Sequence, residues 1–450
     1  MGKLFGTDGI RGVANEYPIT CEMAMDIGRA VAHLFCVETD RSKVVIGKDT
    51  RISGDMIESA LVSGVCSMGV DAAIADVLPT PGIAYLASST GANAGIVISA
   101  SHNPFYDNGI KIFNNKGFKL SDEKEEEIEH ILLNKKPGLM CKTVRDTGRA
   151  FKIEDTVKKY INYLKLALPD GFSLNGMKIA IDCANGATYQ VAPKLFKDLG
   201  ADVESIFTEP DGKNINETCG SQHPEALIEI VLKKKANIGL AFDGDGDRLI
   251  AIDEKGNVTT GDQILAVCAN NLKQKGKLAN NIVISTIMSN MGLKAALNDL
   301  DIDHVMTNVG DRHVMERMIS SGSVLGGEDS GHTIFLDHQT TGDGILTALK
   351  LIESMKFESK PLSELKKVMT VFPQSLVNVE VKSKPEINTL KFVKEAIVSV
   401  EKNLGEKGRV LVRYSGTQPV CRVMVEGPTE EETQRYCKQI SDIIQNEIGC

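Results

Sequence analysis

Short runs of apolar residues alternate along most of the chain with longer stretches whose apolar positions recur every three or four residues. Residues 44–46, 71–74 and 95–98 read as strands, and 56–69, between the first two, has helical spacing. A second round places strands at 177–182, 203–206 and 238–242, with helices at 193–199 and 224–234. A third places strands at 282–286 and 304–307 around a helix at 291–297. Strand–helix–strand alternation predicts parallel sheets with right-handed crossovers. The rounds are similar in length, as an ancestral α/β repeat would be, although no residue-level repeat accompanies them.

The last part breaks this rhythm. Residues 376–381 alternate as a half-buried strand, 391–403 form a polar-faced helix, 409–414 and 421–426 are strands, and 429–448 is a helix. That is a small α+β domain. The expected domains are therefore 1–150, 151–253, 254–368 and 369–450. The acidic run at 122–129 falls on a predicted helix and is expected to be a solvated face without a function.

Composition narrows the partners. With 450 residues, 42% hydrophobic and 25% charged, the chain can bury several cores. Its net charge of −9 argues against nucleic acid as the main partner, because neutralising many phosphates needs a basic surface. The ten cysteines show no C-x-x-C and no disulfide or zinc spacing, which suits free thiols in a reducing cytoplasm. No apolar stretch is long enough to span a membrane, and the N-terminus lacks a signal core. Gly2 is no myristoylation signal, since position 6 is Gly.

Five segments carry candidate chemistry. In G-I-V-I-S-A-S-H-N-P (95–104) a buried strand runs into small polar residues, so Ser101, with His102 beside it, would sit past the carboxyl end of a strand. The same residues also suit a plain turn, and no G-x-S-x-G supports an esterase elbow. In F-D-G-D-G-D-R (242–248), Asp243, Asp245 and Asp247 alternate and would fall on one side of an extended segment. Three converging carboxylates repel unless a cation sits among them, and hard oxygen ligands favour Mg²⁺. A calcium helix–loop–helix would need flanking helices, whereas its twelfth position, Glu254, lies beyond a new apolar strand at 249–252. In G-G-E-D-S-G-H (326–332), Glu328 and Ser330 alternate and can face one cleft; a plain polar loop fits equally. R-Y-S-G-T-Q-P (413–419) with Arg422 offers hydroxyls, backbone N–H groups and two guanidiniums, as phosphate capture requires, and also suits a hairpin turn. Arg11 lies in the Gly-rich F-G-T-D-G-I-R-G (5–12), and K-D-T-R-I-S-G (48–54) is a similar polar loop. His33, His130 and His313 carry no assigned role.

Taken in order, these segments resemble the α-D-phosphohexomutase superfamily over nearly the whole chain. Within it they are most similar to the bacterial phosphoglucosamine mutase branch, through F-G-T-D-G-I-R-G-V-A-N, S-A-S-H-N-P-F-Y-D-N-G-I-K, D-C-A-N-G-A-T-Y (182–189), N-V-G-D-R (308–312) and T-T-G-D-G-I (340–345). The resemblance implies three similar mixed α/β domains with mainly parallel sheets plus a C-terminal α+β domain, arranged around a central cleft. It implies phosphorylation of Ser101, Mg²⁺ held by Asp243, Asp245, Asp247 and the Ser101 oxygen, and Arg11 and Lys111 near the transferred phosphoryl group. His332 would assist proton transfer; His102, Arg248, Glu328 and Ser330 would contact substrate. Arg413, Ser415, Gly416, Thr417 and Arg422 would grip the phosphate that is not transferred. The phosphate loop usually reads S-G-T-E-P, but Gln418 stands here, and Asp329 replaces a more familiar Asn or Gln. That carboxylate either attracts the ammonium of glucosamine or faces solvent.

The activity so implied interconverts glucosamine 6-phosphate and glucosamine 1-phosphate through a 1,6-bisphosphate, for amino-sugar nucleotide and cell-wall precursor synthesis. Glucosamine 1,6-bisphosphate or glucose 1,6-bisphosphate would be the activator, and a homodimer is left open. The alternatives are a phosphomannomutase or phosphoglucomutase with the same machinery, a metal-dependent phosphatase using Asp243 as nucleophile, and a catalytically silent sugar-phosphate-binding protein.

Overall fold

The computed structural model describes residues 4–6, 8–35, 42–134, 142–143, 146–415 and 419–450. The chain forms two compact units, Met1–Met288 with Ile302–Lys367, and Ser289–Asp301 with Val368–Cys450.

The first unit holds three sheets. The first sheet comprises β1 (Phe5–Gly6), β2 (Gly9–Val13), β3 (Lys43–Lys48), β4 (Asp71–Val77), β5 (Ala94–Ile98), β6 (Asp107–Asn114) and β7 (Ala150–Lys152). Their order is β1-β2-β6-β5-β3-β4-β7. The run β5-β3-β4-β7 is parallel, while β6, β2 and β1 continue antiparallel. In the second sheet β8 (Lys178–Asp182), β9 (Asp202–Ile206) and β10 (Ile238–Phe242) are parallel, and β11 (Leu249–Asp253) and β12 (Val258–Thr259) add antiparallel. The third repeats the plan with β13 (Ile282–Thr286), β14 (Asp303–Thr307) and β15 (Leu325–Gly327) parallel and β16 (Thr333–Phe335) antiparallel. The expected strands are present. The antiparallel edges, which periodicity did not single out apart from 249–252, make each sheet mixed.

Helix formation follows the apolar spacing. Helices α1 (Cys21–Phe35) and α2 (Gly54–Ser67) pack against each other at Gly28 and Gly64, both buried. A Cβ on Gly64 would lie 2.1 Å from the Met25 carbonyl oxygen, and one on Gly28 would lie 2.6 Å from that of Leu61. Glycine costs helix propensity but lets the two backbones touch. Helices α3 (Thr80–Ser89) and α4 (Asp122–Asn134) follow. The acidic face of α4 is not wholly solvated. Glu129 accepts hydrogen bonds from the N–H groups of Leu4 (3.0 Å) and Phe5 (3.4 Å), and Glu125 pairs with Arg312 at 2.5 Å. Burial raises the Glu125 carboxyl to about 8. No described helix is long and apolar enough to cross a membrane.

In the second unit β17 (Gln374–Glu380), β18 (Arg409–Tyr414) and β19 (Val420–Glu426) form an antiparallel sheet in the order β17-β19-β18, covered by helices Lys391–Leu404 and Glu430–Ile448. This is the expected α+β domain, with residues 289–301 added. Asn290 joins that segment to the unit, its side chain bonding both the N–H (2.9 Å) and the carbonyl (3.0 Å) of Phe372.

Gly64→Ala tests the helix contact. Propensity alone would stabilise α2 by about 1 kcal/mol, but backbone obstructs the methyl, and overpacking of this kind costs about 1–3 kcal/mol. A lowered thermal midpoint is expected; a raised one would show that the helices separate freely.

Candidate functional site

Strand β5 is buried along its length and delivers the chain to Ser101, which is itself buried. Ser101 has φ +53°, in the left-handed region. An L-residue pays about 1–2 kcal/mol for that conformation, so surrounding bonds must hold it there. Ser101 Oγ donates to Asp243 Oδ2 at 2.6 Å and lies 3.2 Å from His102 Nδ1. Burial, together with Arg248 and Arg11, lowers the His102 imidazole to about 4, so it is neutral near pH 7.

Asp243, Asp245 and Asp247 leave the carboxyl end of β10, and one ligand oxygen from each falls within 4.8 Å of the others. They converge through a turn and not along an extended segment. Gly246 N–H bonds the Asp243 carbonyl at 3.1 Å, and Gly246 takes φ +72°. The loop is anchored at α3, where Thr80 donates its N–H to the Asp245 carbonyl (2.9 Å) and its hydroxyl to Asp245 Oδ2 (2.6 Å). All three carboxylates are buried. Burial and the other two acids push the Asp243 carboxyl well above the ordinary range. Asp247 is held well below it, since Lys111 and His332 outweigh its burial.

These residues fit a hard divalent cation. Among the described residues, Asp245 Oδ1 and Asp247 Oδ1 are buried without a hydrogen-bond partner. An anionic oxygen left bare inside a protein is costly unless a cation reaches it.

A cationic network lines one side. Lys111, on β6, is fully buried and bonds Asp245 Oδ2 (2.8 Å) and Asp247 Oδ2 (3.3 Å), with Asp8 at 3.0 Å. Arg11 belongs to strand β2 and not to a loop; it pairs with Asp8 and reaches the Ala100 carbonyl at 3.4 Å. Asp8 also binds Lys119, which continues to Asp311. His332 closes this chain. Its Nδ1 lies 3.6 Å from Asp247 and its Nε2 lies 3.5 Å from Asp311 and accepts the Gly342 N–H at 3.1 Å. Burial opposes the imidazolium, but Asp247 and Asp311 prevail and raise its pKa. Arg248, 3.8 Å from Asp247, leaves its buried Nε without a hydrogen-bond partner.

Glu328 and Ser330 do not alternate on an extended strand. They occupy the tight turn between β15 and β16, closed by Gly331 N–H to the Glu328 carbonyl at 3.0 Å. Glu328 Oε1 accepts the Gly310 N–H at 3.1 Å, and Ser330 is exposed. Asp329 is half-buried. Its Oδ1 accepts the Asp262 N–H at 3.3 Å, in the first turn of helix Gly261–Gln274, where a carboxylate is favoured.

In the second unit Arg413 and Arg422 are cross-strand partners, so two guanidiniums lie side by side on one face. Burial and Arg422 lower the Arg413 pKa, and Arg422 Nε is buried without a hydrogen-bond partner. Ser415 is buried, its N–H bonding the Val420 carbonyl at 2.8 Å. Gly416, Thr417 and Gln418 lie outside the described residues.

Within the first unit the structure thus gathers Ser101, His102, Arg11, Lys111, the three aspartates, Arg248 and His332 into one buried network. Sequence reasoning passed over Asp8, Asp49, Arg51, Lys119 and Asp311. Asp8 and Asp311 stood inside quoted motifs; Lys119 had no motif at all.

The chain is similar to known proteins in sequence and in fold. Models of the phosphoglucomutase/phosphomannomutase alpha/beta/alpha domains I, II and III match residues 2–138, 158–256 and 260–372, and that of the C-terminal domain matches 376–443. Phosphoglucosamine mutases of Syntrophus aciditrophicus and Syntrophobacter fumaroxidans are 61% and 57% identical, each over 100% of both chains. A phosphoglucomutase/phosphomannomutase family protein of Burkholderia thailandensis shares the fold with a TM-score of 0.81 at 23% identity, covering 99% of this chain and 98% of that one. Aspergillus fumigatus N-acetylphosphoglucosamine mutase, solved with GlcNAc-6P and magnesium, shares it at 0.68 and 16% identity, over 99% and 96%. On these matches the chain belongs to the phosphoglucomutase/phosphomannomutase family.

Proposed function

We propose that this chain interconverts glucosamine 6-phosphate and glucosamine 1-phosphate in the cytoplasm, with Ser101 as the phosphoryl carrier and a 1,6-bisphosphate as intermediate. The observation that carries the chemistry is Ser101 Oγ held 2.6 Å from Asp243 within a buried carboxylate triad. The full-length likeness to phosphoglucosamine mutases supports the sugar. Segments 1–150, 151–253 and 254–368 each contribute one loop.

Phosphoryl transfer needs positioning and charge neutralisation more than covalent chemistry from the protein. Asp243, Asp245 and Asp247, with the Ser101 oxygen, would hold Mg²⁺, which when bound supplies Lewis-acid neutralisation of the phosphoryl charge. Lys111, bonded to Asp245 and Asp247, and Arg11 offset the rest of that charge. His332 exchanges a proton with the sugar hydroxyl; Lys111 is the second candidate. Glu328 and Ser330 orient sugar hydroxyls, and His102 and Arg248 face the phosphorylated serine. Arg413, Ser415 and Arg422, with Gly416 and Thr417, hold the phosphate that is not transferred. Glucosamine 1,6-bisphosphate or glucose 1,6-bisphosphate primes Ser101.

Ser101→Ala is expected to abolish isomerisation even with bisphosphate present. Retention of more than a few per cent of the native rate in a coupled assay would remove Ser101 as carrier. Native enzyme is expected to show its highest kcat/KM on glucosamine 6-phosphate among the glucosamine, glucose and mannose phosphates; preference for glucose or mannose would reassign the sugar. Asp245→Asn, which removes one ligand charge, is expected to weaken Mg²⁺ binding measured by calorimetry at least about tenfold. Unchanged affinity would place the metal elsewhere.

A further inference from the structure

The loop after β3, K-D-T-R-I-S-G (48–54), has no role in the chemistry above, yet two of its residues are buried beneath the serine loop. The side chains of Arg51 and Asp49 are 0% and 1% exposed, so neither reaches a substrate. Arg51 has five N–H groups, and five acceptors meet them. Its Nε donates to Asp49 Oδ2 at 2.9 Å. One terminal nitrogen donates to the carbonyls of Ser101 (3.0 Å) and Asn103 (2.7 Å). The other donates to those of Pro104 and Asp107, the latter at 3.0 Å.

Asp49 completes the frame from the amide side. Its Oδ2 accepts the Ser99 hydroxyl at 2.6 Å, and Ser99 Oγ accepts the Ser101 N–H at 2.9 Å. Both backbone polar groups of Ser101 are therefore tied, directly or through Ser99, to the Asp49–Arg51 pair. Asn216 adds a second donor to the Ser101 carbonyl at 2.9 Å. These bonds offset the cost of the left-handed conformation.

We propose that Asp49 and Arg51 are a positioning pair that holds Ser101 in its left-handed conformation, so that Oγ stays aimed at the carboxylate triad. This rests on reading Ser101 as the phosphoryl carrier. The pair acts through backbone geometry alone. Its removal changes how often Oγ is correctly placed, and leaves the groups that bind the sugar phosphate untouched. Lysine cannot replace Arg51, because an ammonium offers three donors from a point and cannot span four carbonyls and a carboxylate.

Arg51→Lys, Asp49→Asn and Ser99→Ala test this in the full chain with Mg²⁺ and saturating bisphosphate. Each is expected to keep a cooperative thermal transition and to lower kcat, for Arg51→Lys by about 10- to 100-fold, as small misplacements of reacting groups do. KM for glucosamine 6-phosphate is expected to stay within about threefold of native, because ground-state binding is not removed. Ser99→Ala, which deletes a single bond to the Ser101 N–H, keeps the test open if Arg51→Lys does not fold. Folded variants with kcat within about twofold of native would overturn the proposal, as would kcat falling only in proportion to the folded fraction. Intact mass of the native protein separates the two levels. If bisphosphate adds no phosphate to it, the carrier reading fails before any variant is compared; if it does and the variants turn over normally, the positioning pair alone fails.

Discussion

Asp243, Asp245 and Asp247 place three carboxylates in a volume where their ligand oxygens lie within 4.8 Å of one another, away from water. Like charges about 4 Å apart at an effective dielectric of about 20 repel by roughly 4 kcal/mol per pair. Nothing in the backbone forces that cost on the chain; the surroundings must offset it. Lys111 is one response, a lysine buried so completely that only its ion pairs with Asp8, Asp245 and Asp247 keep it charged. His332 is another. Asp245 Oδ1 and Asp247 Oδ1 remain without a hydrogen-bond partner, and this suits a cation there. The Ser101 hydroxyl faces the same group of charges from the opposite loop.

The sheets explain how such a cluster is assembled from distant parts of the sequence. In each α/β sheet of the first unit the loop with candidate chemistry joins a parallel strand to the antiparallel strand beside it: β5 to β6 for Ser101, β10 to β11 for the aspartates, β15 to β16 for Glu328. A parallel neighbour must be reached by a long crossover, whereas an antiparallel one needs only a short connection. These connections are therefore short, fixed at both ends by ladder hydrogen bonds, and placed at the carboxyl ends of parallel strands. Position in the sheet, repeated three times, supports the ancestral repeat that matching lengths suggested.

Much of this was legible in the sequence because strand termini and glycines punctuate it. Buried strands followed by S-A-S-H-N-P and D-G-D-G-D-R identified the reactive loops, and the four-segment order was enough to indicate the superfamily. The missing parts depend on contacts between residues far apart in sequence. Lys119 meets Asp8 and Asp311 across separations no periodicity encodes. Glu129 lies in an acidic run that reads as solvated, yet it accepts N–H groups from the N-terminal strand. Asp329 also has a distant partner, since its Oδ1 accepts the N–H of Asp262, 67 residues away in sequence. Alternation gave Glu328 and Ser330 the wrong conformation, because they lie in a tight turn closed by Gly331 N–H to the Glu328 carbonyl and not on an extended strand.

The glycines of D-G-D-G-D show the same limit within a single motif. Glycine lets a backbone turn tightly. Gly246 does so, at φ +72°. Gly244 serves another purpose: a Cβ there would lie 2.6 Å from the Ser101 carbonyl oxygen. On its other side Gly186 allows a second approach, since a Cβ on it would lie 2.3 Å from the Gly244 carbonyl. The aspartate loop is thus pressed between the serine loop and the N-G-A turn of its own sheet, with backbone against backbone on both sides. Glycine would also be the easiest residue at position 101, where φ is positive. The chain places serine there instead, and its hydroxyl bonds Asp243 at 2.6 Å. Backbone preference and the residue present disagree at Ser101 and agree at Gly244, and strain of this kind is kept only where the surrounding bonds over-determine it.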